Sequence, residues 1–126
     1  MIKLLIVGLG GFVGAIARYG LSGLVHRLYD GSFPMGTFVV NMLGCLVIGA
    51  LMTLVEDRQL FTPNMRAFLM IGLLGSMTTF STLGYETFEL LHDGEPQAAA
   101  WNVAANAILG VAAVALGRAA IRMIGA

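Results

Sequence analysis

Five side-chain hydroxyls lie within seven consecutive residues of an otherwise apolar stretch, at Ser76, Thr78, Thr79, Ser81 and Thr82. Hydroxyls donate hydrogen bonds, and threonines also bond back to the preceding turn and loosen a helix. Because three glycines flank this cluster, we expect the helix to break here. A bilayer tolerates non-helical backbone only where protein buries it or where it lines a polar cavity, so the break predicts a site. The alternative is a kinked, closely packed helix that binds nothing.

Other polar side chains recur within apolar stretches, where a bilayer makes them costly. They are Arg18, Thr37, Asn41, Glu86, Asn102 and Asn106. Amide, hydroxyl and guanidinium groups all donate hydrogen bonds and Glu86 is the one acid deep in a span, so the set favours an anion. Phe80 adds a ring whose positive edge can face an anion. The alternatives are an interhelical hydrogen bond for Asn41, snorkelling for Arg18 and ordinary packing for Phe80.

The sequence offers no catalytic constellation. The two histidines, His26 and His92, lie in different polar connectors, no serine is near a plausible base, and no Cys/His spacing is typical of a metal site. Cys45 is the only cysteine and lies in an apolar run, which indicates a buried small side chain. No nucleotide-binding loop occurs, so we predict neither an enzyme nor an active pump.

The composition predicts an integral membrane protein. Of the 126 residues 58% are hydrophobic and 11% are charged, and the formal net charge of zero speaks against a nucleic-acid partner. Crossing a bilayer takes about 20 apolar residues. We therefore predict one all-α membrane domain over residues 1–126, with its third helix broken at mid-membrane. The four transmembrane spans run over residues 4–24, 37–54, 65–91 and 98–121.

Small residues indicate close helix packing. Gly10 and Gly14 are four apart in the first span, and Gly44 lies in the second. The four spans show no internal repeat, so an inverted pseudo-symmetry would need a second copy of the chain. Basic residues near span ends number five on the side of the termini against two on the other, which predicts both termini in the cytoplasm.

Three motifs in order resemble the Fluc (CrcB-type) fluoride channels, and the resemblance covers the whole chain. The motifs are Gly10-Gly11-x-x-Gly14-Ala15-x-x-Arg18-Tyr19, Pro34-x-Gly36-Thr37-x-x-x-Asn41-x-x-Gly44 and Gly72-x-x-Gly75-Ser76-x-Thr78-Thr79-Phe80-Ser81-Thr82. The resemblance implies passive fluoride export that reduces cytoplasmic fluoride toxicity. It also implies an antiparallel, dual-topology homodimer with paired pores, in contact with lipid in the cell (inner) membrane.

The resemblance further implies a structural sodium ion on the dimer two-fold axis, held by the backbone carbonyls of Gly75 and Thr78 at the broken helix. A helix break frees carbonyls, which fits such a cation. Arg18 matches the family's vestibule arginine. The fluoride pore implied for this chain comprises Thr37, Asn41, Thr79, Phe80, Ser81, Thr82, Leu83 and Glu86.

The chain departs from the family pattern at two positions. Ser76 stands where the family usually has a second glycine, beside the carbonyl of Gly75. Leu83 occupies the position of a second pore phenylalanine and lacks an electropositive ring edge, so selectivity and rate are expected to change. The uneven basic charge also fits dual topology poorly, and here we follow the family resemblance.

Two alternatives come from other classes of protein. A small multidrug-resistance-type transporter has this length and four spans, but it needs a carboxylate in its first span, and the first span here has no acid. A non-conducting accessory membrane subunit would only pack against another protein, and the sequence does not distinguish it from a channel.

Overall fold

The computed structural model describes residues 1–125 and is all-helical. Its helices are α1 (Ile2–Leu28), α2 (Met35–Arg58), α3 (residues 63–77), α4 (Phe80–His92) and α5 (Pro96–Ile124). With α3 and α4 taken as one segment, four segments of the described chain are long and apolar enough to cross a membrane. This confirms the predicted all-α membrane fold. The helices extend a few residues beyond the predicted spans because hydropathy marks only their apolar part.

The third segment is broken near its middle, as predicted. Its 30 residues, Pro63–His92, are interrupted at Thr78 and Thr79, whose backbones are extended with ψ angles of 155° and 126°. The Thr78 hydroxyl donates to the carbonyl of Leu74 at 3.0 Å, the expected bond back to the preceding turn. Thr79 acts differently, because its Oγ1 accepts from the Thr82 amide at 3.2 Å and caps α4.

A π-helical stretch precedes the break and was not expected from the sequence. It spans the eight residues Ala67–Leu74 of α3, between short α-helical turns. Such wide turns are rare and occur often at functional sites. The stretch is uniformly apolar, so its side chains carry no local signal that distinguishes a π-helix from an α-helix.

The helices pack in pairs, α1 against α3 and α2 against α5, while α4 leans on α5. Close packing at the glycines is confirmed: a Cβ on Gly14 would lie 2.1 Å from the Leu73 carbonyl oxygen, so only glycine allows α1 to approach α3. Behind the break, Val40, Leu74 and Met77 form a small buried core. This core fixes α2 beside the broken helix.

Candidate ion-binding site at the helix break

The Asn41 side chain binds the broken backbone directly. Asn41 is buried, its Oδ1 accepts from the Thr79 amide at 2.9 Å, and its Nδ2 donates to the Thr79 carbonyl at 3.2 Å. A residue in a helix break has lost its helical partners, and the amide of Asn41 replaces both of them. One turn further along α2, Gly44 makes room for Thr78, whose Cγ2 would lie 2.1 Å from a Cβ at that position. Helix α2 therefore holds the break in place.

The break leaves two carbonyl oxygens without helical donors. In a continuous helix the Thr79 amide would bond to the Gly75 carbonyl, but here it donates to Asn41. Likewise the Thr82 amide donates to Thr79 Oγ1 instead of to the Thr78 carbonyl. Gly75 is exposed. Free carbonyl oxygens are suitable ligands for a hard cation, so the two positions fit the sodium site that the resemblance implies.

Side chains offer no comparable metal site. Over residues 1–125, no group of three or more His, Cys, Asp or Glu side chains is placed to hold a metal ion.

One side of the break opens into a cavity of about 770 Å³, which we call the charged cavity. Its lining includes Arg18, Thr37, Thr79, Thr82 and Glu86. The Thr37 hydroxyl donates to Glu86 Oε1 at 2.7 Å, while Glu86 Oε2 is buried and has no hydrogen-bond partner among residues 1–125. Arg18 is half-buried and makes no ion pair within the part of the chain that the structure describes. The cavity thus carries the guanidinium of Arg18, the imidazole of His26 and the carboxyl group of Glu86.

Hydrogen-bond donors face the charged cavity at the start of α4. Thr79 Oγ1 donates to Thr82 Oγ1 at 3.0 Å, so the proton of the Thr82 hydroxyl is left for another acceptor. The positive end of the dipole of α4 lies at the same place. The break therefore presents carbonyl oxygens at the end of α3 and donors at the start of α4, which suit a cation and an anion respectively.

A second cavity of about 430 Å³, which we call the apolar cavity, lies on the other side of Thr79. Its lining includes Asn41, Thr79, Phe80, Leu83 and Asn106, together with methionine and aliphatic side chains. Phe80 is 85% exposed and Leu83 only 9%. Because Thr79 lines both cavities, the paired Asn41 and Thr79 lie between them.

Comparison with known proteins identifies the family. A family model described as "CrcB-like protein, Camphor Resistance (CrcB)" matches residues 5–118. The chain belongs to the CrcB family. The resemblance inferred from the three motifs is thereby confirmed.

Curated CrcB relatives match nearly end to end. The "Fluoride-specific ion channel FluC" of Nitratidesulfovibrio vulgaris is 42% identical over 124 residues, which cover 98% of this chain and 100% of the relative. "Fluoride-specific ion channel FluC 1" of Methanosarcina acetivorans is 42% identical over 118 residues, or 94% of this chain and 89% of the relative. FluC of Clostridium novyi is 38% identical over 119 residues, covering 94% and 93%.

The pore residues predicted for this CrcB chain divide between the two cavities. Asn41, Phe80 and Leu83 line the apolar cavity, whereas Arg18, Thr37, Thr82 and Glu86 line the charged one, and Thr79 lines both. Ser81 lines neither: it is exposed, with its hydroxyl 3.4 Å from Thr79 Oγ1. Ser76 faces away from both cavities and donates to the Gly11 carbonyl at 2.9 Å, which ties α3 to α1.

Three further polar residues join the site of this CrcB chain. Asn41 Nδ2 also donates to Asn106 Oδ1 at 3.0 Å, and Asn106 Nδ2 bonds to Asn102. Asn102 Nδ2 in turn donates to Thr87 Oγ1 at 3.0 Å. The sequence marks Asn102 and Asn106 as costly polar groups but links neither to Asn41, and Thr87 is not singled out. The four-residue spacing of Asn102 and Asn106, which places both on one helix face, was the available signal.

Proposed function

We propose that this chain is a fluoride-selective ion channel that lets fluoride leave the cytoplasm down its electrochemical gradient and so limits fluoride toxicity. The observation that carries the proposal is the pair Asn41 and Thr79, which lies between two cavities at the helix break. Relatives named fluoride-specific ion channels, 42% identical over nearly the whole chain, support the identity of the ion.

The chemistry of the site suits a small, strongly hydrated anion. Arg18 attracts the anion to the charged cavity, where water still surrounds it. The Thr82 hydroxyl and the positive edge of the Phe80 ring then replace part of its hydration shell. Both N–H groups of Asn41 are already engaged, so an anion that reaches this amide takes the place of one of its two acceptors.

We infer that two copies assemble as an antiparallel homodimer around one structural sodium ion. The Gly75 and Thr78 carbonyls have lost their helical donors, and Gly75 is exposed, so a second copy could present the same oxygens to a shared cation. The 85% exposed ring of Phe80 would be covered by that copy. The two pores of such a dimer would run in opposite orientations across the membrane.

The proposed channel works without an energy source. The chain carries no nucleotide-binding loop, so flux follows the electrochemical gradient and no reaction is catalysed. We place it in the cell (inner) membrane, where it would protect the cytoplasm. Membership of the CrcB family argues against the small multidrug-resistance alternative, which also needs an acid that α1 lacks.

Fluoride efflux from liposomes that contain only this purified chain tests the proposal. A fluoride electrode outside the vesicles should record fast release with fluoride inside, and matched vesicles loaded with chloride should release little chloride. Equal release of both anions would overturn fluoride selectivity. Release of neither anion would favour the accessory-subunit alternative, in which the chain needs a partner protein and conducts nothing by itself.

A further inference from the structure

A series of buried and half-buried hydrogen bonds runs from the helix break to Thr87 of α4. It starts at the Thr79 amide and passes through the side chains of Asn41, Asn106 and Asn102 to Thr87. Its donor–acceptor distances are 2.9, 3.0, 3.2 and 3.0 Å, and the Thr87 hydroxyl closes it by donating to the Leu83 carbonyl at 2.7 Å. This series of hydrogen bonds links α2, α5 and α4.

Every hydrogen bond in this series points the same way: each side chain accepts from the residue before it and donates to the residue after it. The Thr79 amide can only donate, so it fixes Asn41 with Oδ1 towards the break. The Nδ2 of Asn41 then needs an acceptor, which is Asn106 Oδ1, and the Nδ2 of Asn106 needs the oxygens of Asn102. Rotating any one amide by half a turn would place two donors or two acceptors against each other.

Burial makes it costly to reverse any amide in this series. Asn102 is completely buried, and Asn41 and Asn106 are each 9% exposed. A buried amide that loses its partner has little water to turn to, so a broken bond destabilises its neighbours along the chain. Thr87 is the terminal acceptor for the amides, and its side chain is not among those that line either cavity.

We propose that Thr87, Asn102 and Asn106 are positioning residues, a relay that holds the Asn41 amide in the orientation required by Thr79 and thereby sets its readiness to meet an anion. The effect on fluoride rests on the proposed function, whereas the effect on Asn41 does not. Thr87 and Asn102, which are not among the residues that line either cavity, thus act on the Asn41 side chain through Asn106.

The decisive variant is Thr87→Val, which keeps the shape of the side chain but removes the acceptor for Asn102. In the full chain labelled with ¹⁵N, nuclear magnetic resonance should show shifted Asn41 side-chain amide signals and an amide of Thr79 that exchanges about tenfold faster, as expected for one buried bond left unmade. Fluoride efflux should fall by about the same factor. Thr87→Ser keeps the hydroxyl and should restore both readouts.

Thr53→Val is the matched control. Thr53 is a buried threonine of α2 whose hydroxyl donates to the carbonyl four residues earlier at 3.0 Å, like that of Thr87, but it belongs to no relay. Its replacement should leave the Asn41 signals and efflux unchanged. A merely structural Thr87 would give the same pattern as Thr53, with altered stability alone, and that result would overturn the proposal.

Two features of this experiment distinguish a failure of the proposed channel function from a failure of the relay. If the native chain passes no fluoride, the channel function fails, while the Asn41 signals of Thr87→Val still decide the relay. If Thr87→Val does not fold, Asn106→Leu removes the acceptor next to Asn41 and should shift the same signals. Unshifted Asn41 signals in Asn106→Leu would refute the relay irrespective of efflux.

Discussion

The two cavities that meet at Thr79 differ in what they can offer an ion. The charged cavity carries Arg18, Glu86 and several hydroxyls, so it can hold an ion together with its water. The apolar cavity is lined by Phe80 and Leu83 together with the amides of Asn41 and Asn106, and none of its described lining residues is charged. An ion that crosses between them must therefore exchange water for protein donors at the pair Asn41 and Thr79.

This contrast explains why one chain carries both charges and bare aromatic surface at the same site. In the proposed channel the charged cavity would attract the anion, an effect that acts over several ångströms and weakens with salt. The apolar cavity would discriminate between anions, because an anion there would depend on a small number of short contacts. Substitutions in the two cavities should therefore change different measured quantities.

Asn41→Asp should have the largest effect, because it alters the contact between the cavities. The carboxylate cannot donate to the Thr79 carbonyl or to Asn106, and it repels an anion. We expect fluoride efflux from liposomes to fall by about 100-fold or more while the helical content is retained. Asn64→Asp, at an exposed position of α3, should conduct like the native chain. Undiminished efflux in Asn41→Asp would contradict the account.

Gly44→Ala should disturb the helix break at Thr78 through packing alone. The added Cβ would lie 2.1 Å from Thr78 Cγ2, so either the Thr78 side chain or the backbone at the break must shift. We expect a loss of about 1–3 kcal/mol in the free energy of unfolding, together with slower efflux. Gly8→Ala is the control, since a Cβ there meets nothing within 4 Å. Equal stability of the two variants would show that Gly44 is not a close-contact position.

Arg18→Gln should change only the charged cavity. Loss of the cation removes attraction for the entering anion, so efflux at low ionic strength should fall by a factor of about three. The difference should shrink near 1 M salt, where the screening length is about 3 Å. Arg27→Gln, which removes a charge from the end of α1 outside the cavity lining, should have a smaller effect. A salt-independent loss in Arg18→Gln would indicate a structural role instead.

Leu83→Phe should sharpen the apolar cavity without touching the charged one. The new ring supplies the edge that Leu83 lacks, and we expect the preference for fluoride over chloride to rise by a factor of about two to five. Leu91→Phe, at an exposed position of the same helix, is the control. Parallel efflux assays with the two anions measure the ratio, and an unchanged ratio would mean that Phe80 alone suffices.

The sequence predicted the elements of this fold better than their contacts. Four apolar stretches and a cluster of glycines and threonines carry local signals, so the four segments and the break at Thr78 and Thr79 could be predicted. The bonds of Asn41 to Thr79 join residues 38 positions apart, and no local pattern contains them. The same holds for Asn106, which meets Asn41 from a distance of 65 residues.

Neighbouring residues on one helix also differ in whether they line a cavity, and their spacing in the sequence did not indicate this difference. Ser81 and Thr82 are neighbours in the hydroxyl cluster, yet only Thr82 lines the charged cavity. Their difference follows from helix geometry, because consecutive side chains on α4 point about 100° apart. The preceding π-helical stretch changes the rotation of the chain before the break, and its apolar residues gave no sign of it.

The most direct test of the central claim is a fluoride titration of the Asn41 side-chain amide signals in the ¹⁵N-labelled protein. If the anion exchanges water for protein donors between the cavities, these signals should shift saturably with sodium fluoride and stay fixed with sodium chloride at equal ionic strength. Asn41 signals that respond equally to both salts, or to neither, would contradict a selective contact at this residue.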